Sequence, residues 1–154
     1  MVGLTLGGLV AELAVRIAAA TVTPVKALFA GTDPLGVLVE PHGELGYRQK
    51  PNSTFKYANG AFATSNAMGF RGPAVTTPKP AGVFRIVLLG GSTSHGWGVG
   101  DDSTIDASMR RVLAQRYPGR RFEVVNLAFD GYDSWQDFER MRSDGVPLDP
   151  DLVI

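Results

Sequence analysis

The sequence predicts an α/β fold built on a parallel sheet, and three observations carry that expectation. Two nearly continuous apolar runs, Phe84-Arg85-Ile86-Val87-Leu88-Leu89 and Phe122-Glu123-Val124-Val125-Asn126-Leu127, suit strands buried on both faces. Each run is followed by a glycine-bearing turn and then by a helical pattern. A third apolar run, Leu152-Val153-Ile154, follows Pro150-Asp151. The resulting order of strand, helix, strand, helix, strand implies right-handed crossovers and parallel neighbours.

Taken in order, residues 1–20 read as an apolar helix, with Glu12 and Arg16 four apart on one face. A membrane span needs about 20 predominantly apolar residues, and two charges interrupt this one. Nothing basic precedes Leu4, as a secretory signal would require. Two readings fit: a short amphipathic helix packed on the domain, or the remnant of a membrane anchor. Residues 21–80 form an irregular lead-in with short β pieces, rich in glycine and proline from Gly31 onward. Within it, Phe55-Lys56-Tyr57 and Ala61-Phe62-Ala63-Thr64 flank Asn59-Gly60, a hairpin signal. Residues 81–154 carry the sheet. Asp102 or Ser103 is a plausible cap for a helix with Asp106 in its first turn. Ile105, Met109, Val112, Leu113 and Tyr117 recur in that helix at its period, and Pro118-Gly119 ends it. A second helix fits residues 133–144, with Trp135, Phe138 and Met141 on one side. Three strands make a poor complete domain of this kind, so its C-terminal part is expected to lie outside this chain.

Composition narrows the function. The 154 residues suit one domain. Lys+Arg and Asp+Glu both count 15, so no net field favours nucleic acid or an anionic membrane surface. The absence of cysteine excludes disulfides, thiolate metal sites and cysteine nucleophiles. Only two histidines, His42 and His95, are present, which argues against a multi-histidine metal centre. No metal and no cofactor is expected.

Ligands of open α/β sheets bind outside the carboxyl ends of the strands. Ser92 lies just past the first strand, in Leu89-Gly90-Gly91-Ser92-Thr93, where Gly90 and Gly91 permit a tight turn. A serine there presents its hydroxyl at the sheet edge beside backbone N–H groups able to bind an oxyanion. Gly131 occupies the corresponding turn after the second strand, and parallel neighbours bring the two turns side by side. The bland alternatives are a small residue in a tight turn for Ser92 and an ordinary turn glycine for Gly131. Ser94 reads as a turn residue. His95 lies three residues from Ser92 on the same turn, poorly placed for its ring to reach the hydroxyl, and a packing or rim role is the alternative to a general base. His42 reads as a solvated loop group, Asp130 and Asp133 as exposed loop carboxylates by default or as lining of the cleft, and Trp97 as packing over the site or filling the loop. Arg110, Arg111, Arg116, Arg120 and Arg121 suggest a phosphate patch, but Asp101, Asp102 and Asp106 balance them, which favours a solvated face.

The stretch FRIVLLGGSTSHGWGV, the NLAFDGY turn and the closing PDLVI resemble the SGNH/GDSL hydrolases over residues 84–154. Gly46-Tyr47-Arg48-x-x-Pro51-Asn52 and Asn66-x-x-Gly69-Phe70-Arg71-Gly72 resemble the lead-in of a bacterial subgroup that often carries an N-terminal membrane anchor. The residue before the serine, usually Asp in the family, is Gly91 here. The resemblance implies a three-layer α/β/α flavodoxin-like fold, truncated after its third strand. It implies a serine esterase with Ser92 as nucleophile and the N–H groups of Ser92 and Gly131 as oxyanion donors. The block-three asparagine and the catalytic Asp and His would lie past Ile154, leaving this chain alone inactive. The substrate would be a small-molecule or glycan ester. The location would be the cell envelope, membrane-associated through the N-terminus, or otherwise the cytoplasm. An O-acetyltransferase or deacetylase of an envelope polysaccharide would use the same nucleophile. The competing classes are a nucleotide- or phosphate-binding α/β domain and a non-catalytic envelope protein. The first lacks the Gly-x-Gly-x-x-Gly spacing, the P-loop lysine and an acidic end to the second strand; Gly-x-Ser-x-Gly also fails, because Ser94 replaces its last glycine.

Overall fold

A computed structural model describes residues 38–154, together with Val10, Leu13, Ala14 and Ile17. Those four positions are helical and exposed. The rest of the apolar helix expected over residues 1–20, and the lead-in from 21 to 37, lie outside the described residues. Among the described residues no helix is long and apolar enough to cross a membrane.

The unit spanning Gly36–Ile154 opens with two antiparallel hairpins. β1 (Val39–His42) pairs with β2 (Gly46–Gln49), and β3 (Thr54–Lys56) pairs with β4 (Phe62–Thr64). Asn59-Gly60 sits in the second loop, where Gly60 adopts φ +87° and donates to the Tyr57 carbonyl at 2.9 Å. The first hairpin carries no sequence signal of alternation, because Glu40, Pro41 and Gly46 interrupt it. Then come β5 (Val83–Leu88), the four-residue helix α1 (Ser92–His95), α2 (Ile105–Arg116), β6 (Arg121–Asn126), α3 (Ser134–Arg140) and β7 (Leu152–Val153).

β5, β6 and β7 form one parallel sheet in the order β6-β5-β7, with Val87 opposite both Val125 and Val153. The sheet is therefore built second, first, third. Alternate strand residues take opposite faces. Val87, Val125 and Leu127 pack with Phe70 and Leu148 on one face. The single charge inside β5 is Arg85, fully buried. Its guanidinium donates to Glu123 Oε2 at 2.6 and 2.8 Å, to the Leu148 carbonyl at 2.5 Å and to the Thr76 carbonyl at 2.7 Å. A buried charge survives in an apolar run only when paired and hydrogen-bonded in this way.

Two helices differ from the sequence pattern. Thr104, not Asp102 or Ser103, caps α2, its Oγ1 accepting from the Ala107 amide at 3.3 Å. The apolar stripe of α2 is only partly covered, with Met109 and Leu113 half-buried. Ile105, Val112 and Tyr117 are exposed, whereas Asp106 and Ala107 are buried. The reason lies in β6: Asn126 ends the strand on the α2 side and needs a polar partner, which Asp106 supplies at 2.9 Å. α3 starts from a capping box of Asp133 and Gln136, then widens into a π turn (Met141–Gly145) and a 3-10 turn (Val146–Leu148). Trp135 and Phe138 are exposed, and of the expected trio only Met141 packs against the core.

Candidate active site

Gly90 follows β5 with φ +127°, and a side chain there would strike Ser94 Oγ at 2.6 Å. The chain turns sharply at Gly90-Gly91 and enters α1 at Ser92. Ser92 and Thr93 are exposed. The Ser92 hydroxyl and amide, like the Gly131 amide, have no hydrogen-bond partner among the described residues.

The turn after β6 lies against this one. The Leu127 amide donates to the Leu88 carbonyl at 2.8 Å, and the Phe129 amide donates to the Gly90 carbonyl at 3.0 Å. The Tyr132 amide returns to the Phe129 carbonyl at 3.2 Å, closing a turn with Gly131 inside it at φ +78°. The Tyr132 carbonyl lies 3.4 Å from where a Gly91 side chain would begin. Ser92 and Gly131 thus sit on two turns tied together at Gly90 and packed at Gly91. Asp137 supports the pair, its Oδ1 accepting from the Gly90 amide at 3.1 Å. Burial raises the Asp137 carboxyl above its ordinary range, the Gly90 bond opposes this, and the Asp133 charge adds to the rise.

The first hairpin holds the Gly131 turn from behind. Tyr47 donates its hydroxyl to the Asp130 carbonyl at 2.9 Å, and Tyr132 donates to the Tyr47 carbonyl at 2.9 Å. Gln136 Nε2 donates to the Leu45 carbonyl at 2.9 Å. Burial pushes the Tyr47 phenol up and the Tyr132 phenol up to about 12, so both remain donors at neutral pH.

His95 is fully buried, Nδ1 lying 3.1 Å from Asp130 Oδ1 and the ring 5.0 Å from Phe129. Its Nε2 is enclosed without a partner among the described residues. The histidine is a packing residue and not a rim one, and Asp130, read from sequence as a solvated loop carboxylate, is held by it. Asp133 is the α3 cap. His42 is not a free loop side chain either, since Nδ1 accepts from the Leu45 amide at 3.3 Å.

The lead-in supplies a brace through Arg71, within the Asn66-x-x-Gly69-Phe70-Arg71-Gly72 stretch. Arg71 is buried and donates to the carbonyls of His95 (2.9 Å), Gly96 (2.5 Å) and Val99 (2.6 Å), and to Asp101 Oδ1 (3.1 Å). It fixes the whole loop between α1 and α2. Asn126 Nδ2 donates to the Ser94 carbonyl at 2.9 Å as well as to Asp106, whose other oxygen takes Arg110 at 2.7 Å. Asp106 and Arg110 are therefore not a solvated face. Arg111 and Arg121 reach separate backbone carbonyls, of Asp102 and Ala81, and Arg120 lies over the Phe122 ring, so these arginines engage separate partners.

Trp97 packs edge-on against Tyr57 (5.4 Å between ring centres) and stacks parallel to Phe55 (6.5 Å). It also lines a recess of about 470 Å³ shared with Ser92, Thr93, Val99, Thr104 and Ile105. Among the described residues no cluster of acidic or histidine side chains could hold a metal. No family model and no curated protein matches this chain.

Proposed function

We propose that this protein is a serine-dependent acyl hydrolase of the SGNH/GDSL type, with Ser92 as nucleophile and the Ser92 and Gly131 amides as oxyanion donors. One observation carries the reading. An exposed serine stands at the carboxyl end of the central strand, and its own amide and that of Gly131, on the adjoining turn, both lack acceptors among the described residues. The strand order second, first, third is that of the opening of a flavodoxin-like sheet, which supports the three-layer architecture.

In this reading Ser92 Oγ attacks an ester carbonyl carbon as a base takes its proton. The carbonyl oxygen becomes an oxyanion received by the two amides, and one such donor is typically worth about 10²–10³ in rate. Collapse expels the alcohol with that proton, and water then releases the acid. Neither histidine of this chain fits the base. His95 is enclosed, and the Nδ1 of His42 is engaged with its own hairpin. The base and its carboxylate partner would come from outside residues 38–154, as the resemblance implies. The same nucleophile serves a transferase if a sugar hydroxyl replaces water. The same resemblance implies a cell-envelope location with anchoring through the N-terminus, the cytoplasm being the alternative.

The test is covalent labelling by a fluorophosphonate of a version of the protein that includes the segment carrying the base and its carboxylate partner, with the modified residue mapped by mass spectrometry. The adduct is expected on Ser92 and is expected to vanish in Ser92→Ala. Equal labelling of that variant refutes the assignment.

A further inference from the structure

The recess at Ser92 does not end at Ile105. A second groove of about 450 Å³ continues from it along the outer side of α2, and the two share Ser103, Thr104 and Ile105. Both volumes fall in the range of small-molecule sites, roughly 300–1,000 Å³. The second groove is floored by Ile105, Met109, Val112 and Leu113, of which Ile105 and Val112 are exposed and Met109 and Leu113 half-buried. From Ile105 to Val112 it follows roughly 10 Å of helix.

Chemistry changes along this trough. At the Ser92 end stand the hydroxyls of Ser92 and Thr93 and the indole of Trp97. Along α2 no charged side chain lines the groove, and its three hydroxyls are already engaged. Ser103 donates to Asp102, Thr104 donates to the Asp101 carbonyl and accepts from Ala107, and Ser108 accepts from Arg111. A sugar would find few free polar partners there, whereas an aliphatic chain would meet no charged side chain among the lining residues. We infer that the substrate is an ester of an aliphatic acid whose chain lies along α2, over Ile105, Met109 and Val112, with its carbonyl at Ser92. This rests on Ser92 being the nucleophile.

The probes, applied to the same base-bearing version of the protein, are two fluorophosphonates that differ only in their alkyl chain, ethyl and decyl, together with decanoate itself. Attack by Ser92 Oγ forms the O–P bond and expels fluoride, so the labelling rate reports occupancy at the serine. Each methylene against a one-sided groove raises affinity about twofold. The decyl probe is therefore expected to label at least about tenfold faster than the ethyl one. Val112→Lys, at an exposed position that should not disturb folding, is expected to collapse that ratio. Equal rates for the two probes, or an undiminished ratio in Val112→Lys, overturn the inference while leaving the Ser92 assignment standing. If neither probe labels Ser92, the hydrolase reading fails, and decanoate binding followed through the Met109 methyl resonance decides the groove. A saturable shift keeps the groove as an aliphatic-chain site; no shift overturns it.

Discussion

Tyr47 and Gly131 are built around one another: a methyl on Gly131 would sit 2.7 Å from the Tyr47 hydroxyl oxygen but 3.9 Å from the ring carbon bearing it. The glycine is also at φ +78°, where a side chain is strained. Gly131→Ala is therefore expected to cost about 1–2 kcal/mol from backbone strain alone, with a further cost from the phenol. In a Tyr47→Phe background the second cost disappears, because the contact is with the oxygen. A double-mutant cycle on melting and on Ser92 labelling should show positive coupling. Strict additivity would contradict the close approach.

The Tyr132 phenol is pushed up to about 12 from 10.0, chiefly by burial. The unfolded chain loses that proton near 10 and the folded chain does not. The resulting stability is thus fully present below pH 10 and is lost as pH rises toward 12. Melting followed between pH 9 and 12 should fall less steeply for Tyr132→Phe than for the parent protein. Parallel curves would show that the phenol is not held as described.

Asp137 lies under the nucleophile turn, accepting from the Gly90 amide. Its carboxylate is held at a cost, since burial raises its pKa. Asp137→Asn keeps an acceptor oxygen and removes the charge, so stability at neutral pH should hold or rise. Asp137→Ala leaves the Gly90 amide unpaired, with an expected loss of about 1–3 kcal/mol and slower Ser92 labelling. Similar stability for the two variants would contradict this.

The outer edge of β7 is unpaired among the described residues, and Leu152, Val153 and Ile154 are 44, 41 and 55 % exposed. Trp135 and Phe138 of α3 are exposed as well. Unpaired apolar edges template association. The 154-residue chain is expected to self-associate at micromolar concentration in sedimentation velocity, and Val153→Lys is expected to shift it toward monomer. A monomeric parent chain with a sharp cooperative melt would overturn this.

The parallel strands were legible because buried runs such as Ile86-Val87-Leu88 leave no other placement. The turns at Gly90 and Gly131 followed from their position after those runs. The braces were not legible. Arg71 is one cation among fifteen in the sequence, and nothing local marks a guanidinium that reaches carbonyls more than twenty residues away. The helix faces misled for a related reason. Periodicity identifies an apolar stripe but not which side meets the sheet, and here Asp106, paired with Asn126, is buried while Ile105 and Val112 are exposed. His95 looked indifferent because its partner, Asp130, is distant in sequence.

The central claim is a hydroxyl set beside two amides drawn from adjoining turns, and a crystal structure of the phosphonylated protein tests it most directly. The account predicts the adduct on Ser92 Oγ, with the phosphonyl oxygen about 2.7–3.1 Å from the amide nitrogens of both Ser92 and Gly131. An adduct whose oxygen points to solvent, with Gly131 turned away from it, would contradict the account.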